Sequence, residues 1–319
     1  MKKLIGILGV ILAFVVLYSC TDDNGENLLN EDGTISVDAG SIEIAAEEAS
    51  SSATVDALLE DIDDLSDVDF AATNTGARTV EVAPDSDDKI HRFGDCLVVT
   101  KEIDEETGAI TRTIDFGDGC EGARGIVRKG KITIVKSSSR RYEVGHMRTV
   151  TFDNFYLDDV KIEGVRTLKV TAKDMVEGTG SITISIKYEG GEVKFPDGTE
   201  YKREANRTKI VTIEEFKVVK TEKFGTAEGI NRDELAYKHT VLESDPITHL
   251  RACLEGDVSV FAPVSGTLTI EVEGEEDRVI DFGDGTCDNL AKVTQGDETV
   301  EISINPRHKR RVYRRAVSR

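Results

Sequence analysis

The sequence predicts an all-β domain, an antiparallel meander packed as a sandwich or as one strongly curved sheet, with one short N-terminal amphipathic helix. From about residue 91, segments rich in Val, Ile, Thr, Tyr and Phe alternate with polar residues. These segments break at "EGG", "PDG" and "DG", which favour tight turns between antiparallel strands. No further long segment has helical periodicity, so we expect roughly a dozen strands over residues 91–305.

The first residues have the pattern of a secretory signal. Lys2 and Lys3 precede an uninterrupted apolar run over residues 4–18, which is too short to span a bilayer comfortably as a helix. The run ends in "LYSC", so we predict a signal peptide over residues 1–19 and a mature chain that begins at Cys20. A cysteine at the cleavage point offers a thiol that can carry lipid.

The "LYSC" stretch resembles the lipobox of bacterial lipoproteins, in which a signal peptidase cuts before a diacylglyceryl-modified cysteine. Leu17, Ser19 and Cys20 carry the resemblance, which implies a membrane anchor at Cys20; the alternative is an incidental cysteine behind an ordinary signal. Asp22 and Asp23 resemble the surface-export signals of lipoproteins in Bacteroidetes-group bacteria, or else they only solvate a linker. We therefore expect a lipid-anchored protein of the outer membrane, on the cell surface or alternatively facing the periplasm.

An acidic tether follows over residues 20–90. Residues 21–90 contain 20 acidic and 2 basic residues, which accounts for most of the net charge of -21. Such a segment stays extended, and its charge argues against nucleic acid as a partner. Within it, near residues 54–70, apolar residues recur at helical spacing. They are Val55, Leu58, Leu59, Ile62, Leu65, Val68 and Phe70. We expect a short helix that docks on the β domain; a carboxylate-lined metal site is the alternative.

A strand-to-turn element occurs twice in the β region. "RTIDFGDGC" at residues 112–120 returns as "RVIDFGDGTC" at residues 278–287, with Asp118-Gly119 and Asp284-Gly285 as the predicted turns. A calcium site is the alternative for the second copy. Its candidate ligands are Asp281, Asp284, Asp288 and Asn289. Their spacing differs from the alternate loop positions that supply calcium ligands, so a plain turn is favoured and no cofactor is expected.

Four cysteines remain once Cys20 is acylated, and an even number in an exported protein predicts disulfides. Three connectivities are possible. Chain locality favours Cys96 with Cys120 and Cys253 with Cys287, because these pairs close short loops across neighbouring strands. Free buried thiols are the alternative.

The whole layout resembles the uncharacterised β-rich lipoproteins of Bacteroidetes-group bacteria. Besides the lipobox and the acidic lead, the resemblance rests on four stretches of the chain. They read "TIDFGDGC" followed by "GKITI", "TFDNFYLDDVKIEG", "FPDGTEY", and "SGTLTIEVEG" before the second "DFGDGTC". The resemblance implies a location and a fold type, and it implies no activity.

No sequence motif indicates catalysis. The five histidines are scattered, without "HExxH" or a Gly-x-Ser-x-Gly elbow, and "DFG" lacks the other kinase motifs. We therefore expect a non-catalytic module that binds a protein partner or an extracellular ligand through a sheet face or edge. The alternative is an exported hydrolase with a site built from dispersed Asp, Glu and His. Residues 306–319 form a basic tail that we expect to be disordered.

Overall fold

The computed structural model describes five parts of the chain: nine helical residues between 55 and 66, residues 79–82, residues 93–137 with gaps at 95 and 123–124, residues 142–254, and residues 262–303. The predicted signal peptide, Cys20, the rest of the tether and the tail over 306–319 lie outside these residues. The described chain is nearly all β, which confirms the predicted fold class.

Sixteen strands are present in the described chain, more than the sequence predicted. In chain order they are β1 (Thr79–Val82), β2 (Val98–Ile103), β3 (Ile110–Asp115), β4 (Cys120–Glu121), β5 (Val127–Lys136), β6 (Met147–Leu157), β7 (Val160–Val176), β8 (Thr179–Lys194), β9 (Glu200–Glu214), β10 (Lys217–Ile230), β11 (Ala236–Val241), β12 (Ile247–Leu250), β13 (Ser265–Val272), β14 (Arg278–Asp284), β15 (Leu290–Gln295) and β16 (Glu298–Ser303). One 3-10 turn, Arg251–Leu254, follows β12.

All sixteen strands belong to one sheet, and most strands pair antiparallel with their neighbours in sequence. The short strands β4 and β12 lie beside this path, so β3 pairs with β5 and β11 pairs with β13, while β4 pairs with β5 and β12 pairs with β10 and β13. The described chain has no second sheet to form a sandwich, so the curved-sheet alternative holds. Its two edges are β1 and β16.

The N-terminal helix, which we define by its described residues between 55 and 66, lies in the core of this sheet. Its apolar side chains are 0–3 % exposed. They are Val55, Leu58, Leu59, Ile62 and Leu65. These residues belong to one continuous apolar cluster that includes side chains from most of the strands between β2 and β16. A flat sheet of fourteen adjacent strands would be about 60 Å wide, whereas a helix is about 10 Å wide, so the sheet must curve for one helix to share its core.

The predicted docking of the helix is thus confirmed for the described positions, and Val68 and Phe70 lie outside them. An isolated helix of this length is only marginally stable in water, so its order depends on the sheet beneath it. Among the described residues, no helix has the length and apolarity needed to cross a membrane.

The two copies of the repeated element adopt the same local structure. In β3 the Asp115 carboxylate accepts a hydrogen bond from the Gly117 N–H at 2.9 Å. In β14 Asp281 accepts one from Gly283 at the same distance. The Ile and Phe of each copy point into the core, and β3 and β14 are each the third strand from an edge of the sheet. The element is therefore duplicated in structure as well as in sequence.

Each copy carries one disulfide in the same place. Cys96, just before β2, is bonded to Cys120 in β4, and Cys253, in the 3-10 turn before β13, is bonded to Cys287 after β14. Each bond ties the segment that enters a hairpin to the segment that leaves it. The local pairing predicted from the sequence is confirmed, and the alternative of free thiols is wrong.

Candidate functional site

A row of paired residues crosses the helix-facing side of the sheet. Arg166 of β7 lies opposite Val150 of β6 and Tyr188 of β8. Toward the C-terminal strands the row passes through Ala205, Ala227, His239 and Ile270 and ends at Arg278 in β14. Toward the N-terminal strands it passes through Ile134 and ends at Arg112 in β3. The arginine that opens each repeated element thus lies level with Arg166, on the same face of the sheet.

Three more arginines flank this row. Arg203 and Arg207 lie two residues on either side of Ala205 in β9, so the two-residue period of a strand places both on the same face. Arg148 of β6 joins them through the register Arg148, Leu168, Ile186 and Arg207. We call Arg148, Arg166, Arg203 and Arg207 the arginine cluster.

The acidic side of the N-terminal helix contacts this cluster. Arg166 donates to Asp63 through two N–H groups, with Nε to Oδ1 at 2.7 Å and Nη2 to Oδ2 at 2.6 Å. Asp56 Oδ1 lies 2.9 Å from Nη2 of Arg203 and 3.3 Å from Nη1 of Arg207. Asp63 is therefore held by a planar bidentate pair, and Asp56 bridges two guanidinium groups.

Helical spacing explains how one helix reaches all of these partners. Asp56, Glu60 and Asp63 recur at intervals of four and three, which places them in one stripe beside the apolar stripe. Glu60 lies at the outer edge of the contact, where its carboxylate accepts a hydrogen bond from Lys223 of β10 at 3.3 Å. The apolar stripe fills the core while the acidic stripe neutralises the arginines beside it.

The electrostatics of the site favour a negatively charged occupant. Burial alone would raise the pKa of the Asp56 carboxyl, but Arg203 and Arg207 lower that pKa far below its ordinary value. Burial and the neighbouring Arg203 and Arg166 lower the pKa of Arg207 against the opposing effect of Asp56. For Arg166 the Asp63 carboxylate outweighs burial, and the pKa rises. The guanidinium groups repel one another, and the helix carboxylates offset that repulsion.

The arrangement is suited to recognition. Two fixed carboxylate positions, seven residues apart on a helix, are separated by about 10 Å along its axis. The guanidinium groups that face these two carboxylates match them in geometry as well as in charge, and arginine side chains remain protonated at neutral pH. The cluster therefore fits carboxylates held at two positions on a helix, and its arginines are poor candidates for proton transfer.

The residues of the calcium alternative are engaged in turns. Asp281 accepts from Gly283, Asp284 accepts from the Thr286 N–H and hydroxyl, and Asp288 accepts from the Leu290 N–H. The hydrogen bonds from Thr286 lower the pKa of Asp284. In the part of the chain that the structure describes, no group of three or more His, Cys, Asp and Glu side chains is placed to hold a metal ion.

Three of the five histidines are described, and they lie on different strands or loops. His239 is buried in β11 with its ring 4.9 Å from that of Tyr237. His146 precedes β6 and His249 belongs to β12. The charge of His239 contributes, after Arg203 and Arg207, to the lowered pKa of the Asp56 carboxyl.

Sequence reasoning missed the arginine cluster. One signal was available: several arginines occupy inward positions of strands whose other inward residues are apolar, as in "RTI" of β3 and "VRTL" of β7. An arginine at a strand position where the alternation predicts a buried apolar residue indicates a buried ion pair, because an unpaired buried charge is costly.

Comparisons with family models, with curated proteins and with solved structures return no match for this chain. The two disulfides indicate an extracytoplasmic location, since such bonds persist in oxidising compartments. The described chain is an extracytoplasmic, disulfide-bonded, all-β domain with its own acidic helix bound to an arginine cluster.

Proposed function

We propose that this protein is a lipid-anchored outer-membrane protein of the cell surface whose non-catalytic β domain binds a protein partner or an extracellular ligand. The observation that carries the binding role is the arginine cluster, because it already holds an acidic segment by directional ion pairs. A surface that binds an acidic segment through complementary charges has the features of a recognition site.

The anchor rests on "LYSC" and is supported by the two disulfides, which are typical of exported proteins. Acylation of Cys20 would fix the chain to the membrane, and the acidic tether would hold the folded domain away from it. Asp22 and Asp23 support the cell surface over the periplasmic face, and the resemblance to Bacteroidetes-group β-rich lipoproteins agrees with both anchor and location.

The experiment is acyl labelling combined with protease accessibility. Cys20→Ala should abolish labelling by a clickable fatty acid and move the protein out of the membrane fraction, whereas the matched control Ser19→Ala should keep both. On intact cells, added protease should digest the wild-type domain. Continued labelling of Cys20→Ala would contradict the anchor, and protection from protease on intact cells would assign the periplasmic face.

A further inference from the structure

The N-terminal helix contacts the sheet through charged groups as well as through its buried apolar stripe. Replacing a buried ion pair by apolar residues is often neutral or stabilising, so buried ion pairs add little net stability to a permanently docked helix. They do define register and partner identity, because each carboxylate must meet its own guanidinium. The contact thus has the chemistry of a selective interface.

The helix is also a separable element. Among the described residues it forms no strand pairing with the sheet, and its next described neighbour along the chain is β1, which begins at Thr79. Its contacts are the apolar cluster and the ion pairs of Asp56, Glu60 and Asp63. A helix held only by side-chain contacts can leave its site without breaking any hydrogen bond of the sheet.

We infer that the arginine cluster is a docking site for an acidic amphipathic helix of a partner protein, and that the chain's own N-terminal helix occupies it as an internal competitor. This inference rests on the proposed function, since it names the surface and the class of partner. Charge complementarity selects the occupant: it must present carboxylates two helical turns apart, for Arg166 and for Arg203 with Arg207, beside an apolar stripe.

Competition makes the inference measurable. The affinity for an added helix is reduced by the fraction of molecules whose site is already occupied by the internal helix. Weakening the internal helix should therefore strengthen binding of an external one. Asp56→Asn and Asp63→Asn remove the two charges while keeping side-chain size and the apolar stripe.

The probe is a fluorescent synthetic peptide with the sequence of residues 51–70, titrated into the full mature chain carrying Cys20→Ala. The Asp56→Asn/Asp63→Asn variant should bind it about tenfold or more tightly than the chain with native helix, which corresponds to ~1.4 kcal/mol of lost competition. Adding Arg166→Gln and Arg203→Gln should abolish binding. Glu60→Gln, which alters the exposed pair with Lys223, is the matched control and should change affinity little.

Four results would overturn the inference. One is equal binding of a scrambled peptide of the same composition, and another is no binding by a variant whose near-UV circular dichroism is native. The third is preferential binding of phosphatidylglycerol vesicles by the variant, which would make the occupant a lipid. If Asp56→Asn alone also abolishes the fold, the helix is an inseparable part of the core and the inference fails. Each of these outcomes is independent of the acyl-labelling result, so the two proposals fail separately.

Discussion

Arg166 and Asp63 are 103 positions apart in the chain, and the guanidinium of Arg166 donates to both carboxylate oxygens of Asp63, at 2.7 and 2.6 Å. The arginine is nearly buried, with 9 % of its side chain exposed. This pair fixes the rotation and the axial position of the N-terminal helix against β7. The helix belongs to the tether by sequence and to the β domain by contact.

Breaking this pair from one side should destabilise the protein. We expect Asp63→Asn to lower the free energy of unfolding by about 2–3 kcal/mol, because it leaves the Arg166 guanidinium in a nearly buried site without its charged partner. Asp63→Asn combined with Arg166→Gln should cost less than the sum of the single variants. Urea denaturation of all four proteins measures the coupling, and strictly additive losses would show that the pair contributes nothing.

The Asp56 carboxylate should make stability depend on pH in the acid range. Its pKa in the folded protein is lowered, so the unfolded chain binds more protons as the pH falls through the ordinary carboxyl value of ~3.9. The stabilisation is fully present above about pH 5 and declines as the pH falls toward the lowered pKa. The stability difference between wild type and Asp56→Asn should therefore shrink between pH 5 and pH 3, measured by urea denaturation. A constant difference would contradict this assignment.

Each disulfide should contribute substantially to stability. The closed loops have sequence separations of 24 and 34 residues, for which the chain-entropy model gives ~3–4 kcal/mol per bond. We expect Cys253→Ser/Cys287→Ser and Cys96→Ser/Cys120→Ser each to lower the thermal midpoint. Non-reducing peptide mapping of the wild type should return the two local pairs, and any peptide that links one copy to the other would refute them.

The hairpin between β9 and β10 is strained at its turn. Glu215 and Phe216 have φ of 49° and 64°, a conformation that suits Asn-Gly, and Phe216 is 83 % exposed. Replacing the two residues by Asn and Gly should stabilise the protein by about 1 kcal/mol, because the left-handed turn then costs less. Thermal unfolding is the measurement, with Phe216→Ala as the control that keeps a side chain in the turn. A loss of stability in the Asn-Gly variant would show that the Phe216 ring, which lies over Gly178, contributes more than the strain costs.

Calcium should not change the thermal midpoint of the protein through the carboxylates of the second repeated element. Asp281, Asp284 and Asp288 already accept hydrogen bonds from the backbone of their own turns. We expect the same thermal midpoint in about 5 mM calcium and in excess chelator, a concentration that would saturate an extracellular calcium site. A rise of the midpoint in calcium that Asp284→Asn abolishes would restore the metal alternative.

The sequence was sufficient for features encoded in neighbouring residues. The two-residue alternation of segments such as "SITISIKY" predicted the strands, and the spacing of Val55, Leu58, Leu59 and Ile62 predicted the buried helix stripe. The cysteine pairs were predicted because each closes a short loop. All of these signals lie within a few dozen residues of chain.

The arginine cluster could not be predicted in the same way, because it depends on strand register. Irregularities between Glu163 and Val165 and between Tyr188 and Gly191 shift the pairing of β7, β8 and β9. A slip of one residue would turn Arg166 to the opposite face of the sheet. The meeting of Arg166 with Asp63 is fixed only when those bulges are known, and the bulges are set by the packed sheet.

Hydrogen exchange across the helix tests most directly the claim that ion pairs hold a separable acidic helix on the arginine cluster. In the full mature chain, the amides of the described helical residues between 55 and 66 should be protected, and Asp56→Asn/Asp63→Asn should abolish that protection while β7, β8 and β9 keep theirs. Glu60→Gln should leave the pattern unchanged. Unchanged protection of the helix in the double variant, or loss of protection in helix and strands together, would contradict the account.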